Sequence, residues 1–524
     1  MHRQLYVGFG IVIIGITLLL ILLHVSVEAV IALLIVLIAI GIYDYYQTEH
    51  TILRNFPILG HIRFILEFFR PEIRQYFIAD DQEERPFNRK IRSVIYQRAK
   101  KVRDTVPFGT QFDVLEQGYE CVQHSLIPKK VDEVESRVLV GEKNCSKPYS
   151  ASYFNISAMS FGSLSPNAIM SLNEGAKLGG FCQNTGEGGI SPYHLQGGDL
   201  IFQIGTGYFG CRSKQGHFDA EQFKDKAHRD EVKMIEIKLS QGAKPAHGGI
   251  LPGAKVDKFI AEIRGVEVGK DCISPPAHSA FTTPSTLLEF VAQLRELSGG
   301  KPVGFKICIG KRHEFLGICK AMLKTGITPD FITIDGAEGG TGAAPLEFAD
   351  HMGTPLHEAL LFVHNSLTGI NLRNDIRIIA AGKVATGFDM VARLALGADM
   401  CNAGRAFMLA LGCIQSLVCH NNNCPTGITT QNPRLVRGLV VTEKKQRVAN
   451  YHFETMRSFM EIIGAMGLNN PRLLSPAHIF RQTEKGILQP YNEIYTYYEP
   501  GVLLSGDVSP RYARDWALAD ADRF

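Results

Sequence analysis

Cys413, Cys419 and Cys424 lie within twelve residues (CIQSLVCHNNNC), with Pro425 behind the last. Three thiolates on a loop rich in Asn and Gly suit one soft metal centre, either iron–sulfur or zinc completed by His420 or Cys401. The same spacing also suits three small buried hydrophobes. A second group is polar. Glu187 sits in Asn184-Thr-Gly-Glu-Gly-Gly189, a turn expected to expose its carboxylate, and Lys244 and His247 lie in Gln241-Gly-Ala-Lys-Pro-Ala-His-Gly-Gly249. Arg264 closes the next helical pattern, ahead of Ser274-Pro-Pro-Ala-His278. Arg as a fork and Lys as a point charge would together suit a dicarboxylate, although each alone reads better as a surface charge. Lys306, inside the apolar run VGFKICI, needs an anionic partner, and a reduced flavin ring is one such partner. Glycines form a third group. Asp335-Gly-Ala-Glu-Gly-Gly-Thr-Gly342, Ala381-Gly382-Lys383 and Ala403-Gly404-Arg405 follow three successive apolar runs, and together they predict a phosphate cradle. Gly205-Thr-Gly207-Tyr-Phe-Gly210 imitates a dinucleotide fingerprint, but no helical periodicity follows it, so a Rossmann reading is rejected.

These residues need elements to hold them. The 524 residues are 45% hydrophobic and 20% charged, which excludes disorder and collagen. A net charge of +3 with no basic stripe excludes nucleic acid as a partner. Eight candidate strands run from YFNISAM at Tyr153 through FCQNT, LIFQI, MIEIKL, PVGFKICI, DFITID and IRIIAAG to DMCNAG at Asp399. Helical patterns such as SPNAIMSLNEGAKLGG, PSTLLEFVAQLRELSGG and TGFDMVARLALGAD alternate with them, each opened by a Ser/Thr cap and closed by Gly. Eight strand–helix units with glycines past the strand ends predict a closed (β/α)8 TIM barrel in the α/β class, with its site at the carboxyl ends of the strands.

The N-terminus reads differently. Leu5 to Leu23 is an uncharged run of membrane-spanning length, and Ala29 to Tyr43 is a shorter one flanked by Glu28, Asp44 and tyrosines. A retained transmembrane hairpin is expected rather than a cleaved signal peptide. No Lys or Arg occurs from Gln4 to Leu53, whereas Arg54 to Arg103 holds twelve, so the positive-inside rule sets the remainder in the cytoplasm, at the inner membrane. The PILGHIRFILEFFRPEIRQYF stretch suits a helix on the membrane surface or one packed on the next domain. The expected organisation is a transmembrane hairpin (1–48), a basic amphipathic connection (49–144), the barrel with its cysteine loop (145–431) and an extension packing on the barrel (432–524).

Six motifs in order, SAMSFGSLSPNAI, NTGEGG, IKLSQGAKP with GGILPGAKV, ISPPAH, IDGAEGGTGAAP and GCIQSLVCHNNNCPTG, resemble the FMN-binding synthase domain of glutamate synthase. The resemblance implies FMN and a 3Fe-4S cluster. It implies that ammonia and 2-oxoglutarate form 2-iminoglutarate, which takes a hydride from reduced FMN to give L-glutamate. By position, Cys413, Cys419 and Cys424 would ligate the cluster, and Lys244 and Arg264 would hold the carboxylates. Glu187 would be a proton donor. Ser160, Gln203, Lys306, Gly340, Thr341, Gly382, Lys383, Gly404 and Arg405 would contact FMN. The sequence departs from the family at Ile250, where a substrate-contacting Gln is usual, and at His247, where an acid is usual. With no amidotransferase-like or nicotinamide-binding stretch in view, ammonia is expected free or from a separate amidotransferase, and electrons from an external donor, a ferredoxin or a reductase subunit. The N-terminal segment looks like that of some stand-alone bacterial relatives. Two alternatives stand beside this reading: a related enzyme acting on another 2-oxo acid or amine, as in N-methylglutamate synthase, or a non-catalytic electron-transfer subunit at the membrane.

Overall fold

The computed structural model describes residues 26–102, 105–131, 137–484 and 486–524. It divides into two compact units, Met1–Arg89 and Lys90–Phe524, a boundary inside the expected connecting region. In the first unit Ser26 caps a helix over Val27–Tyr46, its hydroxyl accepting from the Ala29 N–H. With a mean hydropathy of 2.4, this is one helix long and apolar enough to cross a membrane; the Leu5–Leu23 run lies outside the described residues. The helix exceeds the expected Ala29–Tyr43 run at both ends. Glu28 is accommodated in its first turn, and Asp44 is fully buried, accepting the Ile58 N–H at 2.8 Å and lying 2.9 Å from His61 Nε2. Beyond this corner the Leu59–Ile73 helix leaves Ile62, Ile65, Leu66, Phe68 and Phe69 exposed.

The second unit is built around a closed barrel of eight parallel strands: β1 Phe154–Ile156, β2 Cys182–Asn184, β3 Asp199–Ile204, β4 Val232–Lys238, β5 Val303–Ile307, β6 Phe331–Asp335, β7 Arg377–Ala381 and β8 Met400–Ala403. Every candidate strand is one of these. Closure comes from β8 against β1, with Cys401 opposite Phe154 and Ala403 opposite Ile156. Period-two alternation faces polar side chains inward on β4, where Glu236 and Lys238 interrupt the apolar run, and on β5, where Lys306 stands opposite Lys238. The flanking helices start and stop where their caps dictate: Ser165 opens Pro166–Gly179 and Gly180 ends it in the left-handed region, Thr283 opens Pro284–Leu297, and Thr386 opens Gly387–Ala395.

The 25-residue helix Val441–Ala465 is the main element of the C-terminal segment. It packs on Pro166–Gly179 so closely that a Cβ on Gly175 would lie 2.5 Å from Val448 Cγ1. His452 stacks on Phe181 with ring centroids 3.9 Å apart, and the Tyr451 hydroxyl donates to Ala385 O. The Gly205–Gly210 run forms turns, and no helix opens until Ala220, as expected for a false fingerprint.

Candidate active site

At the barrel mouth the loops after β6, β7 and β8 meet. Arg405, the first residue of the Arg405–Leu411 helix, donates from Nη2 to Glu338 O and lies against Gly340, where a Cβ would come 2.7 Å from its Nε. Gly382 has φ 150°, and an added Cβ there would lie 3.3 Å from Leu356 Cδ2 and 3.6 Å from the Glu338 side chain, while Lys383 takes a positive φ of 50°. The Thr341 hydroxyl donates to Ala343 O at 3.2 Å. The structure therefore brings Gly340, Thr341, Gly382, Lys383, Gly404 and Arg405 to one rim, from three sequentially distant loops.

Beside them a charged cluster forms. Glu187 does not expose its carboxylate as the turn predicted; it pairs with Lys238 Nζ at 2.8 Å. Gly205 and Gly249 make room, since a Cβ on either would strike the Glu187 side chain at 2.7 and 2.4 Å. Buried Lys244 donates to Ala343 O at 2.7 Å, tying the loop after β4 to the loop after β6. Buried Arg264 donates from Nη2 to Phe161 O at 3.0 Å and to Ser160 Oγ at 3.3 Å, and lies over the Phe209 ring. Burial pushes the Glu187 carboxyl up, but Lys238, Arg264 and Lys244 outweigh it and hold it below the usual carboxylate range. Glu187 is thus an acceptor in this state, receiving a hydrogen bond from Lys238 Nζ. Burial, helped by Lys238 and opposed by Glu187, pushes Lys244 down to about 8.

Deeper in the barrel Lys306 has a protein partner, Asp335, at 3.3 Å. The anionic partner that a barrel-interior lysine requires is thus supplied within the protein, by the carboxylate of the neighbouring strand β6. Burial lowers Lys306, but Asp335, then Glu236 and Glu187, raise it above its ordinary value. Gln203 and Asn184 donate to Glu236 Oε1, each at 2.7 Å, and Thr333 to Oε2 at 2.6 Å. Because a carboxylate only accepts, Glu236 fixes which end of the Gln203 amide faces it. Lys238 and Glu236 are the site residues that sequence reading missed; the signal was present, since both break the apolar alternation of MIEIKL as Lys306 breaks that of VGFKICI. His247 packs edge-on against Phe348, and Ile250 pairs in a short strand with Ile273.

The cysteine loop follows the β8 helix. Tyr96 donates to Cys413 O at 2.6 Å, Lys255 to Cys419 O at 2.6 Å, and Cys424 Sγ lies 3.3 Å from the Thr426 hydroxyl. Burial raises Cys413 to about 12, with Cys419 and Cys424 adding to it. Burial also raises Cys424, but hydrogen bonds from Thr426 and Thr429 bring it below its ordinary value. Among the described residues no three His, Cys, Asp or Glu side chains are close enough to grip a metal ion as they stand. The three thiols share one loop and one another's field, and donors surround Cys424. Cys401 lies in the barrel wall, in β8, rather than on that loop.

Residues 92–469, well over half of the chain, match the family model for the conserved region in glutamate synthase. The chain belongs to the glutamate synthase family. It is 40% identical over 500 residues to the glutamate synthase large subunit-like protein YerD of Bacillus subtilis (strain 168), covering 87% of this chain and 95% of that one. It is 36% identical over 315 residues to the archaeal-type glutamate synthase (NADPH) of Thermotoga neapolitana, covering 60% of this chain and 59% of that relative. A solved flavocytochrome b2 with sulfite bound aligns over 85% of this chain and 91% of its own at 13% identity, with a TM-score of 0.42, too loosely to bear on function. Family membership makes the chain a glutamate synthase-like oxidoreductase of the class acting on CH–NH2 donors.

Proposed function

We propose that the chain reductively aminates 2-oxoglutarate with ammonia, through 2-iminoglutarate, to L-glutamate. The observation that carries this reading is the charge at the barrel mouth. Lys238, Lys244 and Arg264 oppose a single carboxylate, Glu187, which leaves two positive charges to complement a dicarboxylate. Lys244 and Arg264 would bind the two carboxylates, Arg264 giving up part of its hold on Phe161 O and Ser160 Oγ. Lys238 Nζ, which donates to Glu187, would be the nearby donor to supply a proton as the imine is reduced.

The rim residues fit a phosphorylated flavin. Gly340, Gly382 and Gly404 keep the backbone approachable, Lys383 and Arg405 supply cations, and Gln203 and Lys306 stand on the inner strands below. FMN, when bound and reduced, supplies the hydride. The donor set Cys413, Cys419 and Cys424 fits a 3Fe-4S cluster in its soft thiolate chemistry and in the hydrogen bonds around Cys424. Electrons would come from a ferredoxin or reductase subunit, and ammonia in solution or from a separate amidotransferase. The Val27–Tyr46 helix, with the Leu5–Leu23 run, would anchor the chain in the cytoplasmic membrane with the barrel inside.

The test is an anaerobic spectrum of the detergent-purified protein with flavin and iron quantified, reduced by dithionite and then given 2-oxoglutarate and ammonium. Reoxidation of the flavin with formation of glutamate is expected. A flavin that stays reduced with this pair but is oxidised by another 2-oxo acid or by methylamine would favour the second reading, which the apolar Ile250 and the His247–Phe348 contact motivate. Retained function in Lys244→Ala with both cofactors bound would favour the electron-transfer subunit.

A further inference from the structure

The GGILPGAKV run places a lysine that the reaction above does not use. Lys255 ends the short turn Gly253–Lys255 and is 3% exposed. Its Nζ donates to Cys419 O at 2.6 Å and to Ser163 O at 3.3 Å. Both partners are main-chain carbonyls; among the described residues no carboxylate pairs with it within 4.0 Å. A buried ammonium held only by neutral dipoles is costly unless an anion completes it. The anion its position favours is a group bound through three thiolates, which is net negative and becomes more so on reduction.

The same lysine belongs to a strap. Asn422 Nδ2 donates to Ala254 O at 3.0 Å, and Gln431 Nε2 donates to Gly162 O and Leu164 O at 3.0 and 2.9 Å. The Ser160 hydroxyl donates to Ser163 Oγ at 3.1 Å and accepts from Arg264. A continuous polar path thus runs from Cys419 through Lys255 and the Gly162–Leu164 loop to the cation cluster. We propose that Lys255 is the counter-ion of the iron–sulfur group held by Cys413, Cys419 and Cys424, a positioning residue that sets that group's reduction potential and ties its loop to the loop carrying Ser160. This rests on the cluster reading above. Reduction adds one electron to the group and no proton, and the fixed ammonium stabilises the extra negative charge.

The test is a redox titration of the full-length holoprotein, followed by the electron paramagnetic resonance of the cluster, with dithionite as the electron source. Lys255→Met and Lys255→Gln are each expected to weaken the preference for the reduced cluster about tenfold, about 59 mV lower for one electron. Lys255→Arg is expected to keep the wild-type potential. Gln retains an N–H donor, so it reports the charge if Met fails to retain iron. An unchanged potential in Lys255→Gln overturns the proposal, as does an equal shift in Lys255→Arg, which would mean packing rather than charge. Wild-type protein without iron would instead overturn the cluster reading, and this inference with it.

Discussion

At the scale of residues, the site is governed by how three cations share one carboxylate. Lys244 has its proton affinity lowered to about 8 by burial and by Lys238. Its ammonium is therefore present below that pH and lost above it. Since only the charged form attracts a carboxylate, KM for 2-oxoglutarate should climb roughly tenfold per pH unit above about 8. In Lys244→Arg, whose guanidinium stays charged, that rise should disappear; steady-state kinetics from pH 6.5 to 9.5 would read it. The Glu187–Lys238 pair makes a second prediction. Its members are 16% and 8% exposed, so Lys238→Met takes the hydrogen-bonded partner from a nearly buried carboxylate and leaves it only Arg264 and Lys244, at a cost of about 1–3 kcal/mol. Lys238→Met with Glu187→Leu should regain most of that loss in urea unfolding while turnover stays abolished. Recovery of turnover would remove both residues from the chemistry.

Elements set the distances. The loop after β4 and the loop after β6 touch at Gly242, where an added Cβ would lie 1.7 Å from Gly336 O. Backbone cannot swing aside as a side chain can, so Gly242→Ala should cost about 3 kcal/mol and lower flavin occupancy, measured by thermal melting and by the visible spectrum. Gly310, where an added Cβ would meet nothing within 4 Å, is the control: Gly310→Ala should leave both unchanged. At Gly175, Ala offers about 1 kcal/mol of helix propensity against about 1–3 kcal/mol of overpacking by Val448 and Lys445 O, so the substitution should be net destabilising. A rise in melting temperature would show that the Val441–Ala465 helix yields at that contact. The strands and caps were legible because alternation, Ser/Thr caps and terminal glycines are local signals. The Val441–Ala465 helix was not, because its contacts with Pro166–Gly179 and Gly387–Ala395, helices on the outside of the barrel, join segments far apart in the chain and leave no short-range mark.

For the whole molecule, the apolar Val27–Tyr46 helix and the charge asymmetry around it make one prediction: the full chain should stay with membranes through an alkaline carbonate wash and be released by detergent. Release by carbonate alone would leave at most a surface attachment. Asp44, buried against Ile58 N and His61, shows how an acid at the end of such a helix is tolerated: its oxygens find hydrogen-bond partners within the unit.

From sequence alone came the strand count, the caps of the barrel helices, the three glycine-rich loops, the cysteine spacing and the family motifs, because each depends on residue types within a few positions of one another. Tertiary structure decided which of them meet. Barrel closure carried Lys244 to Ala343, Arg264 to Phe161 and Lys255 to Cys419, contacts separated by 99, 103 and 164 positions. It also gave Lys306 its carboxylate in Asp335 and turned Glu187 from an exposed acid into the partner of Lys238. The physical reason is the barrel itself: eight strands direct alternate side chains to a common axis, so charges far apart in the chain share one low-dielectric space, and their states are set by one another rather than by their sequence neighbours.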